Sequence, residues 1–205
     1  MTEVVGCILA GGLARRMGGG DKGLIELGGR LVLDHVLQRF KPQVSKIILN
    51  ANGEPERFSS YALPVVPDTV EGFAGPLAGV LAGLTWTSEH APDAQWVATA
   101  ATDTPFFPTD FVARLMTAIQ DNDADMACAC SGGRNHPVFG LWPVKLRHDL
   151  QHALVNDDIR KVDLWTARHK LVAVSFDDQA HDPFFNVNRP DDLNEAERIA
   201  RELSA

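Results

Sequence analysis

The sequence predicts an α/β fold: a mostly parallel sheet with one antiparallel strand and helices on both faces. Two observations carry this. Short β-like runs alternate with longer stretches of helical period along the whole chain. Several of the β-like runs also end in glycine, asparagine or aspartate, the residue types found where strands deliver their last residues to a ligand crevice.

Each element has its own signal. Val4 to Leu9 is an apolar run ending in glycines, the pattern of a central strand. Leu33, Val36, Leu37 and Phe40 recur at helical spacing, and Pro42 stops that helix. Lys46 to Asn50 reads as a second strand, and Leu63 to Val66 as a short third one ending at Pro67-Asp68. Gly75-Pro76 opens a helix with Leu77, Val80, Leu81 and Leu84 on one face; proline suits the first helical position, where its missing N–H costs nothing. Trp96 to Thr102 is a strand of small and apolar residues ending at Asp103. The next helix is capped near Thr109 or Asp110, with Phe111, Leu115 and Ile119 inward. Met126 to Cys130 and Pro137 to Trp142 form a strand pair joined by a glycine-bearing turn. Leu146, Leu150 and Leu154 mark a helix, and Leu171 to Phe176 a late strand. The last helix starts at Pro190, with Asp191 and Asp192 in its first turn and Arg198 and Arg201 later, an order that complements the helix dipole.

Composition narrows the function. At 205 residues, 45% of them hydrophobic, the chain has the length of one domain and enough apolar side chains for a core. Acids outnumber bases 27 to 19, giving a formal charge of -8. A chain this acidic is a poor general ligand for nucleic acid or anionic membranes. No run reaches the roughly 18 apolar residues of a membrane span, and the N-terminus lacks a basic region, so a cytoplasmic location is expected. Cys7, Cys128 and Cys130 contain no C-x-x-C and read as buried thiols, not as zinc ligands or a disulfide.

The most informative stretch runs from Leu9 to Lys22, directly after the first strand: Leu-Ala-Gly-Gly-Leu-Ala-Arg-Arg-Met-Gly-Gly-Gly-Asp-Lys. Its glycines let backbone N–H groups approach a ligand, and Arg15, Arg16 and Lys22 add three cations. That combination holds a polyphosphate. Two rival motifs fail. Gly18, Gly20 and Gly23 formally satisfy G-x-G-x-x-G, but they begin about nine residues late and lead into strand-like Leu24 to Leu27, whereas a dinucleotide fingerprint follows its strand at once and opens a helix. A Walker A loop needs a Ser or Thr after its lysine, and Lys22 is followed by Gly23.

Asn50, Asp68 and Asp103 stand at expected strand ends, facing the crevice that the glycine loop borders. A carboxylate beside a triphosphate is repelled unless a cation lies between them, and Mg²⁺, held by one or two carboxylates plus phosphate oxygens, is the natural one. Asp103, in Thr102-Asp103-Thr104-Pro105, is the candidate ligand.

With these residues assembled, the Leu-Ala-Gly-Gly-x-x-x-Arg-Met-Gly-x-x-x-Lys pattern resembles the nucleotidyltransferases of the sugar-nucleotide pyrophosphorylase type. Gly75-Pro76-Leu77-Ala78-Gly79, Asp103-Thr104-Pro105 and Asn186-Val187-Asn188-x-Pro190 narrow the resemblance to the molybdenum cofactor guanylyltransferases, the MobA family. The resemblance implies a single Rossmann-like nucleotidyltransferase domain over residues 1–205. Its N-terminal part, to about residue 110, would bind GTP, and the remainder the pterin substrate. It implies transfer of GMP from GTP to Mo-molybdopterin with Mg²⁺, and transient contacts with the proteins that supply the substrate and receive the product. Carried over by motif, the GTP site would comprise Leu9, Ala10, Gly11, Gly12, Lys22, Asn50, Asp68, Gly75 and Asp103. Arg15, Lys22 and Asp103 would be catalytic, and Asp103 the metal ligand. Related cytidylyltransferases usually carry Leu-Ala-Ala-Gly, so Gly12 favours guanine.

Displacing pyrophosphate in line needs alignment and charge neutralisation more than acid–base chemistry, so no nucleophile–base set is required. On the pterin side, Arg134 precedes an inward strand, and Arg160 and Lys161 share a polar segment with Trp165, cations and an aromatic plane suited to a phosphorylated pterin. Lys161 stands where a second arginine is common in the family. Asn186 and Asn188 alternate and would share one face. His148 and His152, four apart on a helix, lack a third metal ligand and read as an exposed face. Trp86, Trp96 and Trp142 read as core.

Overall fold

A computed structural model describes residues 3–11, 21–70, 75–177 and 180–204. The elements follow the expected alternation: β1 (Val4–Leu9), β2 (Glu26–Leu27), β3 (Arg30–Leu31), α1 (Val32–Phe40), β4 (Lys46–Asn50), β5 (Val65–Val66), α2 (Pro76–His90), β6 (Trp96–Ala101), α3 (Phe111–Asn122), β7 (Met126–Ser131), β8 (Arg134–Pro143), α4 (Arg147–Val155), α5 (Val162–Thr166), β9 (Leu171–Ser175) and α6 (Pro190–Ser204).

Seven strands form one sheet in the order β5-β4-β1-β6-β8-β7-β9. β8 runs antiparallel to both its neighbours, and the other pairs are parallel. β1 is central and buried on both faces, as its continuous apolar run requires. Phe40, Leu33 and Val36 of α1 and Phe111, Leu115 and Ile119 of α3 fill one face of the sheet. Leu77, Val80, Leu81 and Leu84 of α2, Leu150 and Leu154 of α4 and Trp165 of α5 fill the other. A smaller cluster joins Leu27 and Val32 to Phe106, Val187 and the inner face of α6. Among the described residues, no helix is long and apolar enough to cross a membrane.

Local chemistry explains the boundaries. Asp34, in the first turn of α1, accepts the N–H of Leu31 at 3.1 Å, closing that helix end. The expected cap of α3 is supplied differently: Asp110 is the cap residue, but its carboxylate pairs with Arg114 at 3.8 Å and makes no capping hydrogen bond, and Gln43 Oε1 accepts the N–H of Val112 at 2.9 Å from beyond α1. The expected strand from Leu63 to Val66 contracts to two residues, because Pro64 and Pro67 lack the N–H a ladder needs. Strand-like Leu24 to Leu27 becomes a 3₁₀ turn, Lys22–Leu24, followed by the short β2. β8 is longer than expected and bulged: its register on β7 jumps from Cys128↔Gly140 to Ala129↔His136, setting Pro137 outside the ladder.

The register aligns the strand ends. Leu9 pairs with Asn50 and with Ala101, and Asn50 pairs with Val66. The residues that follow each strand, Ala10, Ala51, Pro67-Asp68 and Thr102-Asp103, therefore leave the sheet along one edge. Ser131 pairs with Arg134, so the β7–β8 turn lies on the same edge.

Candidate active site

At the end of β6 the ammonium of Lys22 donates to Asp103 Oδ2 at 2.9 Å and to the side-chain oxygen of Asn188. The ion pair is largely shielded, with side-chain exposures of 19% and 15%, so solvent screens it less than a surface pair. Asp103 is fixed from the C-terminal side as well. Its carbonyl accepts the N–H of Val187 at 2.8 Å, and Val187 is buried. That inward residue turns Asn186 and Asn188 the other way, as the alternation predicts. Thr104 Oγ1 donates to Asn186 Oδ1 at 2.6 Å and lies 3.3 Å from Asp103 Oδ1. Asn188 is held in turn by α6: Asp192 Oδ2 accepts the N–H groups of Asn188 and Arg189, both at 2.9 Å. Asp192, read as a helix-dipole partner, thus also holds the backbone of Asn188.

A second cluster sits at the ends of β4 and β5. Asn50 Nδ2 donates to the Val66 carbonyl at 3.2 Å and to Asp68 Oδ1 at 3.0 Å. Asn52 clamps Asp68 twice, donating to Asp68 Oδ2 at 2.8 Å and accepting the Asp68 N–H on Oδ1 at 2.8 Å. Both carboxylate oxygens are thereby oriented by amides. α2 packs directly behind. A Cβ on Gly79 would lie 2.3 Å from Asn50 Oδ1 and 2.7 Å from Leu9 Cδ2, so only glycine admits the helix at this distance.

The remaining expected residues divide. Ala10 is buried and its N–H bonds the Asn50 carbonyl at 2.8 Å; Leu9 is half-buried, and Gly11 is exposed with open space where a Cβ would point. Gly12 and Arg15, together with Arg16, lie outside the described residues. Gly75 caps α2 and faces the Arg160 carbonyl, which brings the Arg160-Lys161 segment to this edge. Arg160 is exposed and bonds Asp158 at 3.0 Å, and Lys161 is exposed. Arg134 is exposed at the start of β8, and no contact among the described residues joins it to Asp103.

One expectation fails. Trp165 offers no aromatic plane to a ligand: it is fully buried, its ring 5.8 Å from that of Trp142 and its Nε1–H donating to Asp149 at 2.7 Å. The short α5, unforeseen in a polar segment, turns it inward. His148 and His152 are exposed, beside Arg147 and Asp157, and no group of three metal-ligating side chains occurs among the described residues. Trp142 is core, whereas Trp86 and Trp96 are only partly buried. Cys7 and Cys128 are buried free thiols, pushed up by burial to about 12 and about 11; Cys130 is half-buried.

Along the same edge, Ser131 Oγ donates to Asp182 at 2.8 Å, so the neighbouring His136 Nε2, 2.7 Å away, must donate to Ser131. Burial lowers the His136 pKa, opposed by Asp182 and assisted by Arg134.

Sequence reasoning missed Asn52 and Thr104. A signal for each was present: Asn52 follows Asn50 at strand period, and Thr104 lies inside the Asp103 motif.

The MobA-like NTP transferase domain family matches residues 6–180. A molybdenum cofactor guanylyltransferase of Bradyrhizobium sp. (strain ORS 278) is 57% identical over 97% of this chain and 94% of its own. One from Rhodopseudomonas palustris (strain BisB5) is 56% identical over 94% and 92%. The crystal structure of molybdopterin-guanine dinucleotide biosynthesis protein A from Archaeoglobus fulgidus superposes with a TM-score of 0.78 at 25% identity, covering 97% of this chain and 99% of that one. With its motifs at the carboxyl edge of the sheet and these relatives along nearly its whole length, the chain belongs to the MobA-like nucleotidyltransferases, in the family of the molybdenum cofactor guanylyltransferases.

Proposed function

We propose that this protein transfers the GMP moiety of GTP to the terminal phosphate of Mo-molybdopterin. An acceptor phosphate oxygen bonds to the α-phosphorus, and the bond from that phosphorus to the bridging oxygen of the β-phosphate breaks. The products are molybdopterin guanine dinucleotide and pyrophosphate. The observation that carries this reading is the convergence of Lys22, Asp103 and Asn188 beyond the end of β6.

In this reading the N-terminal part binds GTP. Leu9, Ala10, Gly11 and Gly12 would contact the nucleotide, with Asn50, Asp68 and Gly75 around it. Lys22 now neutralises Asp103; a triphosphate would draw it by denser negative charge, and with Arg15 it would take the charge that develops on the leaving pyrophosphate. The acceptor phosphate is already largely ionised near neutral pH, its second pKa being about 6, so no general base is needed. Asn186 and Asn188, with Arg134, Arg160 and Lys161, would hold the pterin substrate in the C-terminal part.

Nucleotidyltransferases generally use a divalent metal. The donor chemistry here fits Mg²⁺. Asp103 offers one carboxylate, its close neighbours Thr104, Asn186 and Asn188 offer oxygen, and neither thiol nor imidazole is among its bonded partners. A small hard cation that keeps water and shares phosphate oxygens suits such a sparse set. Bound through Asp103, it would neutralise the phosphates and stabilise the departing pyrophosphate. A cytoplasmic location belongs to the same proposal, supported by three unpaired thiols, as do transient contacts with the proteins that deliver the pterin and receive the dinucleotide.

The test is direct. With GTP labelled at the α-phosphate, Mo-molybdopterin and Mg²⁺, label should enter the dinucleotide and pyrophosphate should be released in equal amount. No transfer from GTP, with transfer from CTP, would move the protein to cytidylyl chemistry.

A further inference from the structure

Arg57 touches both halves of the site without belonging to either. It lies in the 3₁₀ stretch Pro55–Tyr61, beyond β4. Its Nε donates to Asp21 Oδ2 at 2.7 Å, its Nη2 to the Asn52 carbonyl at 2.7 Å, and its Nη1 to the Glu54 carbonyl. Its guanidinium also sits over the Phe58 ring, 4.7 Å from the centroid. All three nitrogens are therefore engaged, on two separate stretches of chain. The Asp21 side chain is only 11% exposed, so this is a shielded link and not a surface pair. Asp21 immediately precedes Lys22, and Asn52 is the residue that clamps Asp68.

We propose that Arg57 is a positioning residue of the nucleotide site. It fixes Asp21, and through it Lys22, against the turn that orients Asp68. This rests on reading the site as one for GTP. Holding the Asp21 carboxylate makes the location of the Lys22 ammonium, on the very next residue, reproducible. Arginine suits this role, since a lysine would keep the charge but could not direct N–H groups to a carboxylate and two carbonyls at once. Binding depends on such preorganisation because every group that must be ordered on binding lowers affinity.

The experiment is GTP titration calorimetry with Mg²⁺ on the wild type, Arg57→Gln, Arg57→Lys, Lys22→Gln and the Arg57→Gln/Lys22→Gln double variant. Arg57→Gln should raise the Kd at least about tenfold, and Arg57→Lys should recover only part of that loss. In the Lys22→Gln background the same change should add no more than about threefold, because most of its effect runs through Lys22. Equal losses in both backgrounds would mean that Arg57 merely supports the fold, and a Kd within about twofold of wild type would mean that it does nothing for the site; either overturns the proposal. If Arg57→Gln does not fold, Asp21→Asn cuts the same link from the other end and carries the same comparison. A wild type that binds another nucleoside triphosphate in preference would overturn the GTP reading while leaving the coupling measurable with that nucleotide. Binding of no nucleotide overturns both.

Discussion

Substituting Gly79→Ala should cost little stability and much affinity. The added methyl would meet Asn50 Oδ1 at 2.3 Å and Leu9 Cδ2 at 2.7 Å, and Asn50 is buried with nowhere to retreat. Its amide can move only by giving up the Val66 carbonyl or the Asp68 carboxylate. Overpacking of this kind costs about 1–3 kcal/mol. Alanine regains about 1 kcal/mol of helix propensity over glycine inside α2. The net destabilisation is thus about 0–2 kcal/mol, a fall in Tm of at most roughly 8 °C for a chain this size. A hydrogen bond that the displaced Asn50 amide, or the Asp68 carboxylate it orients, would make to the nucleotide is worth about 1.5–3 kcal/mol when one partner is charged. Losing its geometry should raise the Kd for GTP about ten- to a hundredfold. Gly83→Ala, one turn further along α2, is the control. The nearest atoms to its methyl are those of Cys7 at 3.1 Å and Val97 at 3.3 Å, so it should touch stability and leave GTP binding alone. Calorimetry and thermal melts on both variants decide the matter. Gly79→Ala binding GTP within about twofold of wild type would refute the claim that the helix is fitted to Asn50 for the site's sake.

Three further outcomes are expected. Asp103→Asn should lower turnover by about a hundredfold or more, read as the rate of pyrophosphate release. Trp165→Ala should destabilise the protein by about 3–5 kcal/mol, measured by denaturant unfolding, while the folded variant keeps the wild-type KM for the pterin, because the ring lies in the core. Stability should fall as pH drops from about 7 towards 5, because burial depresses the pKa of His136 and, with Arg39 adding to burial, that of His181. The unfolded chain then takes up protons near pH 6.5 that the folded one refuses, so the histidines' contribution is complete above that pH and lost below it. Urea midpoints across this range check it, and a flat profile between pH 7 and 5 would contradict it.

Much of this was written locally in the chain. The run from Val4 to Leu9, Asn50 at the end of the next strand and Asp103 at the close of a small-residue strand need only strand period and the strand-end rule to be placed along one edge. What was not legible depends on chain segments distant in sequence meeting in space. Asp21, Asn52, Arg57 and Asp68 become one network only when the ends of β4 and β5 are adjacent to Asp21. The N–H of Val112 is satisfied by Gln43, from another helix's exit, which no reading of α3 alone could supply. Trp165 misled because its neighbours Arg160, Lys161 and Asp163 are polar, whereas a helix of five residues suffices to turn a single indole into the core.

The central claim is that this edge is a site for GTP, assembled around Asp103 and Lys22. Titration calorimetry with GTP, CTP, ATP and NADH, each with and without Mg²⁺, tests it most directly. Selective binding of GTP is expected, weakening when Mg²⁺ is withdrawn and in Asp103→Ala. Binding of NADH with no response to any triphosphate would contradict it.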